Sequence, residues 1–204
     1  MQIENRKEEM PFAHYRALFA AMDAAEAAKR LNVPFENGEF EITMLGTKYY
    51  IAHPEFAIRA DTDGIALKKL LAQTLLMRCL LESKSAAPTD EFLTFRELPW
   101  GEVYIKPFSG RILSHAAFAF GTRLEAFRAA AEKLGGFPLK HGDASYEFRF
   151  LGEYRLQLIL WEGDDEFPPN AQLLYTSNFA DGFTAEDRVI VGDLLIAAIK
   201  SAMK

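Results

Sequence analysis

Hydrophobic positions along the chain repeat at two periods, one helical and one extended. Over residues 11–31, Phe12, Tyr15, Phe19 and Met22 recur every three or four positions, which places them on one side of a helix. Pro11 suits its first turn, and Asn32 and Pro34 stop it. A second helix is predicted over 65–82, where Leu67, Leu70, Leu71, Leu75 and Leu81 form a broad apolar stripe. The preceding Asp61-Thr62-Asp63-Gly64 offers capping carboxylates. A third, over 122–134, carries Leu124, Phe127, Ala131 and Leu134 on one side and ends at Gly135-Gly136, suited to a left-handed cap. The fourth opens at Thr184, whose hydroxyl caps the first turn while Glu186 and Asp187 favour the positive end of the helix dipole. Its blocks 189–191 and 194–196 are apolar nearly all round, which implies deep burial.

Between the helices lie short runs rich in β-branched and aromatic residues: 39–45, 48–52, 56–59, 92–96, 103–105, 146–150, 154–161 and 172–176. Leu45-Gly46-Thr47 and Leu151-Gly152-Glu153 each put a glycine between two such runs, where its access to positive φ lets the chain reverse. Antiparallel pairing follows, rather than a parallel βαβ repeat. The expected fold is therefore α+β, mainly antiparallel sheet packed against about four helices. The polar stretch Ser83–Asp90 is a linker candidate within one domain, dividing it into lobes 1–82 and 91–204.

Composition narrows the class of function. Of 204 residues, 50% are hydrophobic and 13% aromatic, enough for a substantial core. The apolar stretch 189–199 is interrupted by Gly192 and Asp193 and falls short of the roughly 20 residues that span a bilayer. Residues 1–9 lack the apolar segment of a secretory signal, so a cytoplasmic protein is expected. Cys79, the single cysteine, lies in an apolar run and reads as a small buried hydrophobe; no intrachain disulfide or cysteine-ligated cluster can form. The net charge of -6 disfavours nucleic acid, whose phosphates need clustered cations.

Two segments are chemically suggestive. In Leu160–Pro169 an apolar strand opens into Glu162, Asp164, Asp165 and Glu166, a concentration of like charge that needs water, a cation or basic partners. With Trp161, and with Asp143 of the His141-Gly142-Asp143 turn, these carboxylates are candidate ligand-binding groups. They are also candidates for holding a divalent cation that activates water. The spacing is not that of a calcium loop, and a solvated acidic turn accounts for the same residues. The second segment, Lys106-Pro107-Phe108-Ser109-Gly110-Arg111, offers Lys106 and Arg111 to an anion with Phe108, Trp100 and Tyr104 as an apolar wall. A strand-to-helix connection, whose glycine turns the chain and whose Arg111 pairs with a surface carboxylate, is the simpler reading of the same residues. His14, His53, His115 and His141 are scattered without metal-binding intervals, and no serine sits in a nucleophile elbow.

Read end to end, the chain resembles DUF3786, a bacterial family of unknown function found largely in anaerobes. The residues that carry the resemblance are His141-Gly142-Asp143, Leu158–Tyr175, Thr184–Asp187 and the N-terminal run Phe35–Arg59. Some longer relatives look like fusions to a cysteine-rich iron–sulfur module of corrinoid-dependent one-carbon metabolism; with Cys79 alone, this chain lacks that module's cysteines. The resemblance implies that Asp143, Trp161 and the acidic turn form a family feature, and it assigns no activity and no cofactor. The expected function is a non-catalytic small-ligand-binding or accessory domain of anaerobic bacterial metabolism, with a metal-assisted hydrolase or transferase and a protein interaction module as the alternatives.

Overall fold

The computed structural model describes residues 6–61, 67–82 and 86–204. By residue contacts the chain divides into two compact units, Met1–Thr43 with Thr47–Ser85, and Met44–Gly46 with Ala86–Lys204.

In the first unit the predicted helix over 11–31 is two helices, α1 (Arg6–Ala21) and α2 (Ala24–Leu31). The break is a capping event: Asp23 turns extended and its carboxylate accepts the Glu26 N–H at 3.0 Å, a better use of an Asp than a helix interior. Helix α1 begins upstream of the expected start because Arg6–Met10 are good helix formers, so Pro11 lies inside the helix rather than in its first turn. Asn32 ends α2 in the left-handed conformation, as the sequence predicts. The next helix, α3 (Leu70–Glu82), packs on α1 and is shorter than its apolar stripe. The start expected near Ile65 and the caps Thr62, Asp63 and Gly64 lie outside the described residues. Arg30 of α2 donates to the carbonyls of Leu80 and Leu81, satisfying acceptors in the last turn of α3. Strands β1 (Phe35–Glu36), β2 (Glu39–Met44), β3 (Thr47–Ala52) and β4 (Ile58–Ala60) form an antiparallel ribbon. Leu45 (φ 49°) and Gly46 (φ 74°) take the two left-handed positions of the β2–β3 turn.

The second unit is built on β7 (Ala144–Leu151), β8 (Tyr154–Trp161) and β9 (Asn170–Thr176), antiparallel neighbours with β5 (Phe92–Thr94) beyond β9 and β6 (Phe137–Pro138) against β7. The β2–β3 tip, Met44–Gly46, belongs to this unit, with Met44 opposite Leu151. Alternation is clean on β8, where Tyr154, Leu156 and Leu158 are buried and Arg155 and Gln157 face the other way. On that polar side Arg155 pairs with Glu147 at 2.8 Å and with Asp90 at 2.6 Å. Helix α6 (Leu124–Lys133) ends as the double glycine predicts: the Gly136 N–H reaches the Ala131 carbonyl at 2.8 Å and the Gly135 N–H that of Glu132 at 2.9 Å. A single turn, α7 (Phe179–Gly182), precedes α8 (Ala185–Ala202). The latter opens on a full capping box between Thr184 and Asp187 and is buried along most of its length.

The largest departure from expectation is the segment 101–120. Val103–Ile105 reads as a strand and Lys106–Arg111 as a connection, yet all of it is helical. It consists of α4 (Gly101–Phe108), a π turn (Ser109–Leu113) and α5 (Ser114–Phe120). Phe108, Ile112, Ala116 and Phe120 are buried at intervals of four, and this period outweighs the β preference of three residues. Pro107 and Gly110 look like breakers, yet the chain stays helical through both, with the Ser109–Leu113 π turn beginning two residues after the proline.

Candidate functional site

Gly142 has φ 58°, and a Cβ there would lie 2.6 Å from the Leu160 carbonyl oxygen, so only glycine lets the His141–Asp143 turn close against β8. That approach fixes Asp143. Its N–H donates to the Leu160 carbonyl at 2.9 Å, and its Oδ2 accepts the Glu162 N–H at 2.8 Å. Asp143 and Glu162, separated by nineteen positions in the chain, are thus locked together where the β7–β8 ladder ends.

Beyond Glu162 the acidic turn folds on its own backbone. Asp164 Oδ1 accepts the N–H groups of Phe167 at 2.7 Å and Glu166 at 2.9 Å. These bonds hold its carboxyl below the usual carboxylate range. Asp165 and Glu166 are exposed. Among the described residues no group of three or more His, Cys, Asp or Glu side chains converges as metal donors, so the geometry lends nothing to the cation reading of this turn. The four histidines stay apart, with His53 Nε2 3.0 Å from the Phe19 carbonyl and His115 beside Lys200.

Asp143 and Glu162 form one wall of an open cleft of about 650 Å³ whose remaining lining is Thr122, Arg123, Leu124, Glu125, Ala126 and Arg128. These six residues belong to the first turns of α6 and its approach, so the cleft faces the positive end of a helix. Arg128 Nη2 donates to the Asp143 carbonyl at 2.5 Å and Nε lies 3.3 Å from Glu125. Arg123 Nη2 donates to Ala119 at 2.7 Å. Each guanidinium carries five N–H donors, so both retain donors for a bound group. The cleft therefore presents cations and carboxylates together.

Of the residues singled out in the sequence, the structure brings Asp143 and Glu162 together in this cleft. Trp161 is half-buried at the end of β8, and Asp164 and Glu166 lie in the turn beyond. The second segment does not join them. Phe108 is buried in the core, stacked on Phe95 with ring centroids 4.0 Å apart. Arg111 pairs with Asp193 of α8, and Lys106 is exposed on α4. The anion-binding loop expected there is a helix, and of its aromatic wall only Phe108 is core, Tyr104 being half-buried and Trp100 exposed. The cations that line the cleft are Arg123 and Arg128, neither of them singled out in the sequence. Their signal is the segment Thr122-Arg123-Leu124-Glu125-Ala126-Phe127-Arg128, where a glutamate pairs with an arginine three positions on at the start of a helix.

No curated protein and no solved structure matches the chain. Among the described residues no helix is long and apolar enough to cross a membrane. The sequence profile described as "Domain of unknown function (DUF3786)" matches residues 23–198, most of the chain and all of the cleft, and the chain belongs to that family.

Proposed function

We propose that the chain is a non-catalytic ligand-binding or accessory module whose second unit takes a small polar molecule in the cleft at the first turn of α6. One observation carries this reading: Arg123 and Arg128 line the same opening as Asp143 and Glu162. Its volume of about 650 Å³ suits a metabolite-sized ligand. A molecule bearing both an anionic and a cationic group satisfies both walls, the anion toward the arginines and the cation toward the carboxylates.

In this reading the ligand is a small molecule and not a nucleic acid, in keeping with the net charge of -6. The module works in the cytoplasm of a bacterium, in keeping with its single cysteine, and serves anaerobic metabolism as an accessory. Residues 1–82 and 91–204 act as lobes of one domain, joined through residues 83–90.

The test is thermal unfolding in the presence of zwitterionic amino acids, dicarboxylates and polyamines. A zwitterion at about a hundred times its dissociation constant stabilises the fold by about 2.7 kcal/mol and raises the midpoint accordingly. The Arg128→Gln and Glu162→Gln variants lose that rise. A flat response across the whole panel at millimolar concentration, or a rise that persists in the double variant, removes the proposal.

A further inference from the structure

Gly121 closes α5 with φ -64° and ψ -16°, a conformation open to any residue, so a contact and not the backbone requires glycine there. An added Cβ would lie 2.5 Å from the Pro169 Cβ and 3.4 Å from the Trp161 carbonyl oxygen. Gly163, within the acidic turn, is closed off by the same proline: its added Cβ would lie 2.6 Å from both Pro169 N and Pro169 Cδ. Pro169 is thus seated between two glycines, one from its own turn and one from the corner between α5 and α6. Its ring fixes the backbone at that point, and the seat is tight on both sides.

The chain neighbours of these glycines line opposite walls of the cleft. Thr122 follows Gly121, and Glu162 precedes Gly163. The two walls therefore meet at Pro169, and a second bridge spans them where Arg128 donates to the Asp143 carbonyl. Between the bridges, charges of opposite sign are held apart. Arg123, steadied by the Ala119 carbonyl, has no carboxylate partner among the described residues. Glu125 stands beside Arg128, so Arg123 is the cation left to an incoming anion. On the other wall, neither Asp143 nor Glu162 is ion-paired among the described residues. Asp143 Oδ2 takes the Glu162 N–H, and the second carboxylate oxygen adds acceptor capacity for a ligand cation.

A gap of fixed width between opposite charges sorts ligands by the separation of their own charges. A chain too short reaches one wall only, and a chain too long must buckle. We propose that Pro169, keyed between Gly121 and Gly163, is the spacer that sets this width, and that the cleft selects linear ω-amino acids of one chain length. This selection rests on the binding function proposed above and adds to it a ligand class and the residues that position the walls.

The test is isothermal titration of the full chain with glycine, β-alanine, 4-aminobutanoate, 5-aminopentanoate and 6-aminohexanoate. Wild-type affinity is expected to peak at one member and to fall by roughly tenfold for its neighbours in the series, the scale of one misplaced methylene. Gly121→Ala pushes the walls apart and moves the peak to a longer member. Pro169→Gly removes the spacer without adding bulk, and affinities level out along the series; this variant decides the matter where Gly121→Ala does not fold. A loss of stability alone scales every affinity together and leaves the peak in place. Equal wild-type affinities along the series overturn the spacer and leave the binding function standing, as does a peak that neither variant moves or flattens. Binding of other zwitterions with none of this series overturns the ligand class, and binding of no zwitterion at all removes the binding function and the spacer with it.

Discussion

Gly142 and Gly152 both adopt positive φ, at 58° and 53°, and only the first is crowded. Replacing either by alanine forces a Cβ into a left-handed conformation at a cost of about 1 kcal/mol. At Gly142 the added methyl also collides with the Leu160 carbonyl, and that backbone is held by the β7–β8 ladder. Gly142→Ala is therefore expected to lower unfolding stability by roughly 2 to 3 kcal/mol, and Gly152→Ala by about a third of that, both read from urea midpoints. Equal losses would show that crowding at Leu160 does not hold the turn. Asp143 was readable in the sequence as a candidate, and its role was not. A glycine followed by an aspartate marks a turn in sequence, but the bond from the Glu162 N–H exists only after two strands have paired.

At the scale of elements, the acidic turn is a self-capped loop whose charge is partly answered by its own backbone. The Asp164 carboxyl lies below its ordinary 3.8 because the N–H groups of Phe167 and Glu166 donate to the ionised form. A lowered folded-state value means that this contribution is fully present above the unfolded value and is lost as pH falls through the folded one. The Asp164 side-chain carbon is thus expected to titrate below 3.8 in an NMR pH series, and a midpoint at or above that value refutes the turn geometry. Elements with local signals were legible in sequence: the Thr184 cap, the Gly135-Gly136 terminus and the glycine-centred hairpins are each written in neighbouring residues. Where local signals competed, the reading failed. Val103-Tyr104-Ile105 favours a strand by composition, and the four-residue period of Phe108, Ile112, Ala116 and Phe120 prevails only through burial against the rest of the unit. The π turn of Ser109–Leu113 has no signature in the local composition.

At the scale of the whole molecule, the candidate site lies within a single unit: the cleft, its arginines and its carboxylates all fall between residues 122 and 162. Half of that site was in view from the sequence, because a run of acids announces itself. The other half was hidden, because Arg123 and Arg128 look like ordinary solvent-facing residues until α6 is aimed at the end of β8. The π turn bears on the length of chain this family can tolerate. A π turn holds one residue more than the α turn it replaces, so the helix through 101–120 carries a spare residue between Ser109 and Leu113. Deleting Ser109 is expected to leave a regular helix with Phe108 and Phe120 still in the core, and a folded protein by circular dichroism. Deleting Ala117 turns Phe120 by about 100° out of its site and unfolds the unit. Insertions and deletions, usually the privilege of surface loops, thus have one permitted address inside a buried helix.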